Sequence, residues 1–464
     1  MPRHVALISL VSLISLISLI SLACIPKEPS ADENGEGESS ETEGSSESTS
    51  SSETASESET TGESETTGES ESSSEIETTG ETNTCPSGTN IAGAPAPLAS
   101  PANCEIVCPP GWGHPTQPLE VAWTLDIDPV ELQSRGLALL PGTGSSVLVI
   151  ADRLDVLPMR MHSISLAGES AGELEWTVEV DEIDHVLQAA TSDSTGTVHV
   201  ALTGYDPLSW APEGHFAAVS PAGEFQWMTG PQTGLVTAMA PRSEGLVALL
   251  GPASIPTFDR YLTSVSGEGV IEWTLQTFDA AMSVGVAPNG DVVVTGGDQY
   301  AIYTSEGDPV DTLPQAFTAE SLSRARFLDG DTLVQTGSIA DDEGWLDGLI
   351  AWQPLAGPGW FERYHLGDMF CDGQIRNGSE VFTDFAALAN GGLALVGYQA
   401  FYDVADARPW VGHVDARGDL IAADLGVWDG YADDVLALDD GSVLVLINHS
   451  HEDTAFQVRK ILLD

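Results

Sequence analysis

From Pro118 onward, apolar and polar residues alternate in short runs broken by Gly, Asp and Asn. A period of two marks half-buried strands, and no long segment carries the 3.6-residue period of an amphipathic helix. One run recurs seven times: "SSVLVIA" (Ser145–Ala151), "GTVHVALTG" (Gly196–Gly204), "GLVALLG" (Gly245–Gly251), "GDVVVTGG" (Gly290–Gly297), "GDTLVQTG" (Gly330–Gly337), "GGLALVG" (Gly391–Gly397) and "GSVLVLI" (Gly441–Ile447). The copies lie about 40 to 60 residues apart, which is the range of propeller repeats.

A second run precedes each copy across a tight turn, as in "SVGVAPNG", "FAALANG" and "VLALDDG". Those turn residues favour hairpins. A third run follows, from "MRMHSISL" in the first unit to "AFQVRKILL" in the last. A fourth closes the unit as "GELEW" (Gly172–Trp176), "GEFQW" (Gly223–Trp227) and "GVIEW" (Gly269–Trp273), then degenerates to "GDPVDTL", "GPGWFERYHL" and "GDLIAADL". Four strands in each of seven units predict an all-β chain folded as a seven-bladed β-propeller over residues 119–464. "LEVAWTLDI" (Leu119–Ile127) reads as a fourth strand with no blade before it. The last unit lacks a fourth strand, so this N-terminal strand is expected to complete it, close the ring and limit exposed edges.

The unit "VSPAGEFQW" resembles the outer-strand motif of the PQQ-like (quinoprotein-like) propeller repeats, in which a Gly turn precedes an apolar strand ending in Trp. The resemblance spans about residues 119–464, and the motif is weak in blades 4 to 6. It implies that Trp176, Trp227 and Trp273 dock one blade on the next, joined by Trp123 of the closing strand. Physical reasoning agrees, because a large ring on an outer strand buries area against its neighbour. An enzyme of that family would also need an adjacent Cys pair, a metal-binding acid cluster and a Trp floor. No two Cys are adjacent here, which counts against a bound quinone.

Upstream, the pattern changes. Arg3 and His4 precede the apolar stretch Val5–Ala23, so residues 1–23 read as a signal peptide. "SLAC" resembles the lipobox of bacterial lipoproteins, which implies cleavage before Cys24 and lipidation of that Cys. Ser21 stands where the usual pattern has Leu, and ordinary cleavage with release is the alternative. Residues 24–84 are built of Ser, Glu, Thr and Gly, with Ile76 the one large apolar residue between Ser30 and Thr84. They cannot bury enough surface to offset their ordering entropy and are expected to form a disordered acidic tether. Residues 85–118, rich in Cys and Pro, read as a collar ahead of the propeller.

The formal net charge of −56 repels a phosphate backbone, and no basic stripe offsets it, so nucleic acid is excluded as a partner. Contact with a membrane is expected through the lipid alone, placing a monomer in the cell envelope, at the outer membrane or cell surface. With Cys24 set aside, Cys85, Cys104, Cys108 and Cys371 remain, an even number that reads as two disulfides in an exported chain. Three pairings exist. Cys104 and Cys108 are near enough to pair locally, which would leave Cys85 to reach Cys371.

Candidate chemistry is sparse. "GESAG" (Gly168–Gly172) matches the nucleophile elbow, but that motif needs a strand, a sharp turn and a helix, and here strands flank it. Asp384 in "TDFAAL" and Asp434 in "DDVLAL" hold matching places just before successive innermost strands, near the central channel. They would share a cation or bind loop amides. "ADDEGWLDG" offers Asp341, Asp342, Glu343 and Asp347, an oxygen-rich set suited to Ca²⁺. "NHSHED" (Asn448–Asp453) offers His449 and His451 beside two acids. For each, a solvated turn is the commoner reading, so no cofactor is expected, with Ca²⁺ the one ion these groups suit. Turns on one face are short, whereas the opposite face carries the long segments "YDPLSWAPEG", "PASIPTFD" and "YQAFYDVADARP". Long loops on one face are where such scaffolds place function. The expectation is a non-enzymatic binding or scaffolding module for a surface protein or polysaccharide. The alternative is a Ca²⁺-assisted lyase or hydrolase, or a quinoprotein-type oxidoreductase, acting at the channel mouth.

Overall fold

Strands buried on both faces should read as unbroken apolar runs. The seven recurrent runs are mostly apolar, with His199, Gln335 and Thr336 among the buried exceptions, and each is the second strand of an antiparallel sheet in the computed structural model. Val147–Ala151 in blade 1 and Val292–Val294 in blade 4 are fully buried. The structure describes residues 104–107, 119–127, 134–153, 158–183, 185–205, 212–252, 259–315, 317–328, 330–340, 345–355, 357–365, 368–371, 374–376, 378–401, 407–425, 430–449 and 456–463. Cys24, the tether, Cys85, Cys108, Asp341, Asp342, Glu343 and His451 lie outside these residues.

Seven sheets make seven blades. From the channel outward, blade 1 runs Ser134–Pro141, Ser146–Arg153, Met159–Ser165 and Leu174–Val180. Blades 3 to 6 repeat this order. Blade 2 does so with its outer strand split into Phe225–Met228 and Gln232–Thr233, both paired with Pro212–Val219. In blade 7, Glu120–Ile127 pairs antiparallel with Phe456–Leu462, from Glu120 opposite Leu462 to Ile127 opposite Phe456. The N-terminal strand therefore supplies the missing fourth strand and closes the ring. A separate three-stranded sheet joins Cys104–Val107 to the insertion strands Asp368–Cys371 and Gln374–Arg376, with Cys104 opposite Cys371.

The core lies between blades. Leu148, Ile150 and Met161 of blade 1 pack on Leu187, Val198 and Val200 of blade 2. Leu444, Leu446 and Val458 of blade 7 pack on Val147 and Val149 of blade 1 in the same way. Antiparallel order places the turns between strands 1 and 2, and between 3 and 4, on one face. The connections between strands 2 and 3, and the crossings between blades, share the other. The first turns contain four or five residues in every blade. The strand 2–3 connections run from two residues in blade 4, between Gly296 and Gln299, to nine in blade 3, between Leu250 and Arg260.

On the uniform face the repeat has a physical meaning. Trp227 of blade 2 lies on the turn before the outer strand of blade 3. Its indole N–H donates to the Gly267 carbonyl at 2.7 Å, and a methyl group added at Gly269 would come within 2.7 Å of the ring. Gly269 also has φ +80°, where a side chain is strained. Trp273 of blade 3 sits the same way on Gly307 of blade 4, with its N–H on Ser305 O at 3.0 Å, and Trp123 of the closing strand sits on Gly172 of blade 1. Between blades 1 and 2, Val178 rather than Trp176 seats on Gly223, and Trp176 packs into the shared core beside Phe225. Trp352 and Trp360 of blade 5, stacked at 3.9 Å, cover Gly418 of blade 6.

Candidate functional site

A buried charged cluster lies where blades 5, 6 and 7 meet. In six blades the innermost strand carries a β-bulge at one position, and the residue after it is Ala138, Ala189, Ala238, Arg324, Asp384 or Asp434. Asp384 and Asp434 thus stand within the innermost strands Gly378–Ala387 and Tyr431–Ala437, not before them as the sequence suggested. The bulge accounts for the difference. It turns a carboxylate toward the open edge of the next blade, where innermost-strand amides have no sheet partner. The Leu139 amide donates to Asp434 Oδ2 at 2.6 Å, and the Val435 amide to Asp384 Oδ2 at 3.4 Å.

Two arginines of blade 5 complete this cluster. Arg326 Nη2 donates to Asp384 Oδ2 at 3.1 Å and Nη1 to Phe385 O at 2.7 Å, while Arg324 Nε lies 3.5 Å from Asp384 Oδ1. Burial pushes both carboxyls up. At Asp384 the guanidiniums and a hydrogen bond from Asp434 outweigh burial and hold it below its ordinary value. At Asp434 burial and the neighbouring Asp384 act together and raise it well above. The two carboxyls are thus pushed in opposite directions, Asp384 down and Asp434 up. The cluster borders a central cavity of about 60 Å³, lined elsewhere by Leu139, Met239 and Ala240. As placed, Asp384 and Asp434 bind strand amides and arginines.

A second group gathers on the irregular face. Asp347 begins the third strand of blade 5 (Leu346–Pro354), His365 follows its outer strand (Trp360–Tyr364), and Glu380 lies near the start of the innermost strand of blade 6. His365 Nδ1 stands 3.2 Å from Asp347 Oδ1 and 3.7 Å from Glu380 Oε2. The other oxygen of each acid is held: Arg363 Nε donates to Asp347 Oδ2 at 3.1 Å, and Gln399 Nε2 to Glu380 Oε1 at 2.8 Å. Glu380 is fully buried, and its Oε2 has no hydrogen-bond partner among the described residues. Burial pushes the Glu380 carboxyl up, against the pull of His365. Burial works the same way on Asp347, but His365 and Arg363 outweigh it and hold that carboxyl low. Three donor atoms, one nitrogen and two oxygens, therefore converge within 4.8 Å, a set able to hold a metal ion.

Sequence reading found Asp347 among the acids of its loop but missed His365 and Glu380. One signal pointed to Glu380. It falls on the buried phase of an alternating strand, in step with Phe382 and Asp384, where a charge is out of place. Ser170 is exposed in a 3-10 turn between two strands of blade 1, without the helix a nucleophile elbow requires. Asn448 joins blades rather than facing solvent. It accepts from the Gly136 amide at 2.8 Å and donates to Gly136 O at 2.7 Å.

No protein-family model matches the chain, and no curated protein matches it in sequence. Solved structures of similar fold include a catalytically inactive virginiamycin B lyase from Staphylococcus aureus with Quinupristin, 10% identical, covering 74% of this chain and 99% of that one at a TM-score of 0.49. Kuenenia stuttgartiensis hydrazine synthase is 12% identical over 72% of this chain and 97% of the other, at 0.46. The C-terminal WD40 domain of Sif2 is 9% identical over 75% and 98%, at 0.42. At such identities the likeness concerns the propeller fold alone.

Proposed function

We propose that the chain is an exported, lipid-anchored binding module whose propeller presents its irregular face to a surface polysaccharide or protein. One observation carries this reading: the turns between strands 1 and 2, on one face, have four or five residues in all seven blades, whereas the connections between strands 2 and 3, on the other, have two to nine. A scaffold needs uniform turns, and a recognition surface needs differences. The irregular connections carry Tyr205, Trp210, Trp345 and Tyr402 among acids, a mixture suited to stacking on sugar rings and accepting their hydroxyl hydrogens. Seating of Trp123, Trp227 and Trp273 on glycine turns supports a PQQ-like repeat ancestry without requiring the quinone.

The mature chain should bind at least one acid-poor polysaccharide on a glycan array. Trp210→Ala with Trp345→Ala should abolish that binding, and Glu268→Ala on the uniform face should leave it intact. Equal loss in both variants, or no binding by the parent chain, would overturn the reading. Mass spectrometry of the mature N-terminus tests the anchor: Cys24 should carry lipid, and an unmodified terminus removes the membrane from the account.

A further inference from the structure

The Asp347, His365 and Glu380 group differs from an ordinary surface cluster in how its atoms are held. Each carboxylate has one oxygen fixed by a donor of its own, Arg363 or Gln399, and the other turned toward His365 Nδ1. Hydrogen bonding of the non-ligating oxygen is how outer residues orient metal-binding carboxylates. Glu380 Oε2 is sealed from solvent, with no hydrogen-bond partner among the described residues. A buried acceptor left unmatched costs about 1–3 kcal/mol, and more for a charged group, so it calls for a positive partner. His365 meets it only at 3.7 Å, beyond hydrogen-bond reach.

The spacings set the kind of ion. Ligand atoms about 2.0–2.2 Å from one ion in a tetrahedron stand about 3.3–3.6 Å apart. The observed separations from Nδ1 are 3.2 and 3.7 Å. An imidazole nitrogen with only two carboxylates suits Zn²⁺ better than Ca²⁺, which takes about six to eight oxygens. Arg363 holds the outer oxygen of Asp347 and leaves Oδ1 to the centre, and His365 at 30% exposure leaves a path in from the irregular face.

We propose that Asp347 Oδ1, His365 Nδ1 and Glu380 Oε2 form a site for one Zn²⁺-type cation at the junction of blades 5 and 6. A fourth coordination position is left for water or a ligand from the irregular face. The site stands on these residues alone and does not depend on the binding function proposed above.

The test uses the whole mature chain, oxidised and then stripped with EDTA, so that thiols cannot compete. Isothermal titration with Zn²⁺ alone, in physiological salt with millimolar Ca²⁺ and Mg²⁺, should show one tight site per chain above the weak background of the acidic tether. Zn²⁺ should also raise the thermal midpoint. Co²⁺ in its place should give visible absorption of a nitrogen and oxygen site without a thiolate band. Glu380→Gln, which keeps the contact with Gln399, and His365→Ala, at a partly exposed position, should each weaken Zn²⁺ at least about tenfold to a hundredfold and abolish the cobalt signal. Both variants retain the tether, so its background cancels. Unchanged Zn²⁺ binding in both, or a parent chain with only tether-type binding, would overturn the site and leave His365 as a cationic bridge between two acids.

Discussion

Blades 1 to 4 and blades 5 to 7 use one backbone plan with opposite chemistry at its centre. At the same place on the innermost strand, the first four carry Ala138, Ala189, Ala238 and Ser283, and the last three carry Arg324, Asp384 and Asp434. Small side chains let blades 1 to 3 approach the axis with little to satisfy. The charged half has buried groups to match, and at the axis it does so across blades: Arg326 reaches Asp384 and Phe385 O, Asp384 reaches the Val435 amide, and Asp434 reaches the Leu139 amide. The apolar half is therefore tolerant of substitution at the axis, and the polar half is cooperative and specific.

The largest effect should come from breaking the polar half. Asp384 is fully buried, and its removal takes the carboxylate from Arg324 and leaves Arg326 with Asp434 Oδ1 at 4.0 Å. Loss of one member of a buried pair costs about 3–5 kcal/mol, and the 45% exposure of Arg326 lowers this to about 3. Asp384→Ala should lose that much in urea unfolding, whereas Ala238→Ser at the matching place in blade 3 should stay within about 1 kcal/mol. Similar costs for the two would erase the distinction between the halves.

Blades 1 to 4 have their own anchor. Trp227→Ala removes a half-buried ring from Gly269 and a hydrogen bond to Gly267 O. A cost of about 2–3 kcal/mol follows, below the value for a fully buried Trp. Gly269→Ala forces a methyl onto that ring at φ +80° and should cost about 2 kcal/mol. Because both changes spoil one contact, the double variant should lose less than the sum. Full additivity would mean that the indole does not dock the blades.

A cross-link is expected in the other half. Cys104 is the register partner of Cys371 on paired antiparallel strands. Such partners stand about 4.5–5.5 Å apart at Cα, inside the disulfide range of about 4.4–6.8 Å. Peptide mapping without reduction should recover Cys104 joined to Cys371, leaving Cys85 and Cys108 to each other. A Cys104–Cys108 peptide, the pairing that sequence proximity favours, would remove the staple between the collar and the blade 5–6 insertion. Cys371→Ser should lower stability by about 2 kcal/mol if the link forms.

These contrasts explain what the sequence disclosed. Blade count, strand order and ring closure were legible because each depends on local periodicity: seven glycine-bounded runs and one unpaired strand at Glu120–Ile127. Trp227 was legible because its motif repeats. Asp384 and Asp434 could be aligned, but not their partners, since Arg326 is reached across 58 residues and Leu139 across 295. His365 and Glu380 belong to no repeat: strand pairing within blade 5 sets His365 beside Asp347, and only the ring brings Glu380 of blade 6 to them. Cys104 and Cys371 stand opposite each other for the same reason, a placement that left the three pairings open in the sequence.

Acid and base should act on the two halves in opposite senses. In blade 2, burial would raise Asp193, but hydrogen bonds from Thr195 and His199 outweigh it and hold the carboxyl below its ordinary 3.8. A lowered carboxyl adds stability above its unfolded value, which is lost as pH falls through the folded one. Asp193→Asn should therefore cost most at neutral pH and approach the parent chain below about pH 4. In blade 7, burial and Asp384 raise Asp434 well above 3.8. A raised carboxyl binds its proton more tightly folded than unfolded, so its stabilising share is present at low pH and is lost as pH rises. Asp434→Asn keeps an acceptor for the Leu139 amide and supplies N–H groups toward Asp384. It should match the parent near pH 4 and gain on it toward pH 8, the reverse slope to Asp193→Asn. Urea unfolding of both variants from about pH 2 to pH 8 reads the two slopes, that of Asp193→Asn below about pH 4 and that of Asp434→Asn above it. Parallel slopes would mean that Asp434 carries no proton at neutral pH and that the carboxyl pair of blades 6 and 7 is a pair of anions held by Arg324 and Arg326.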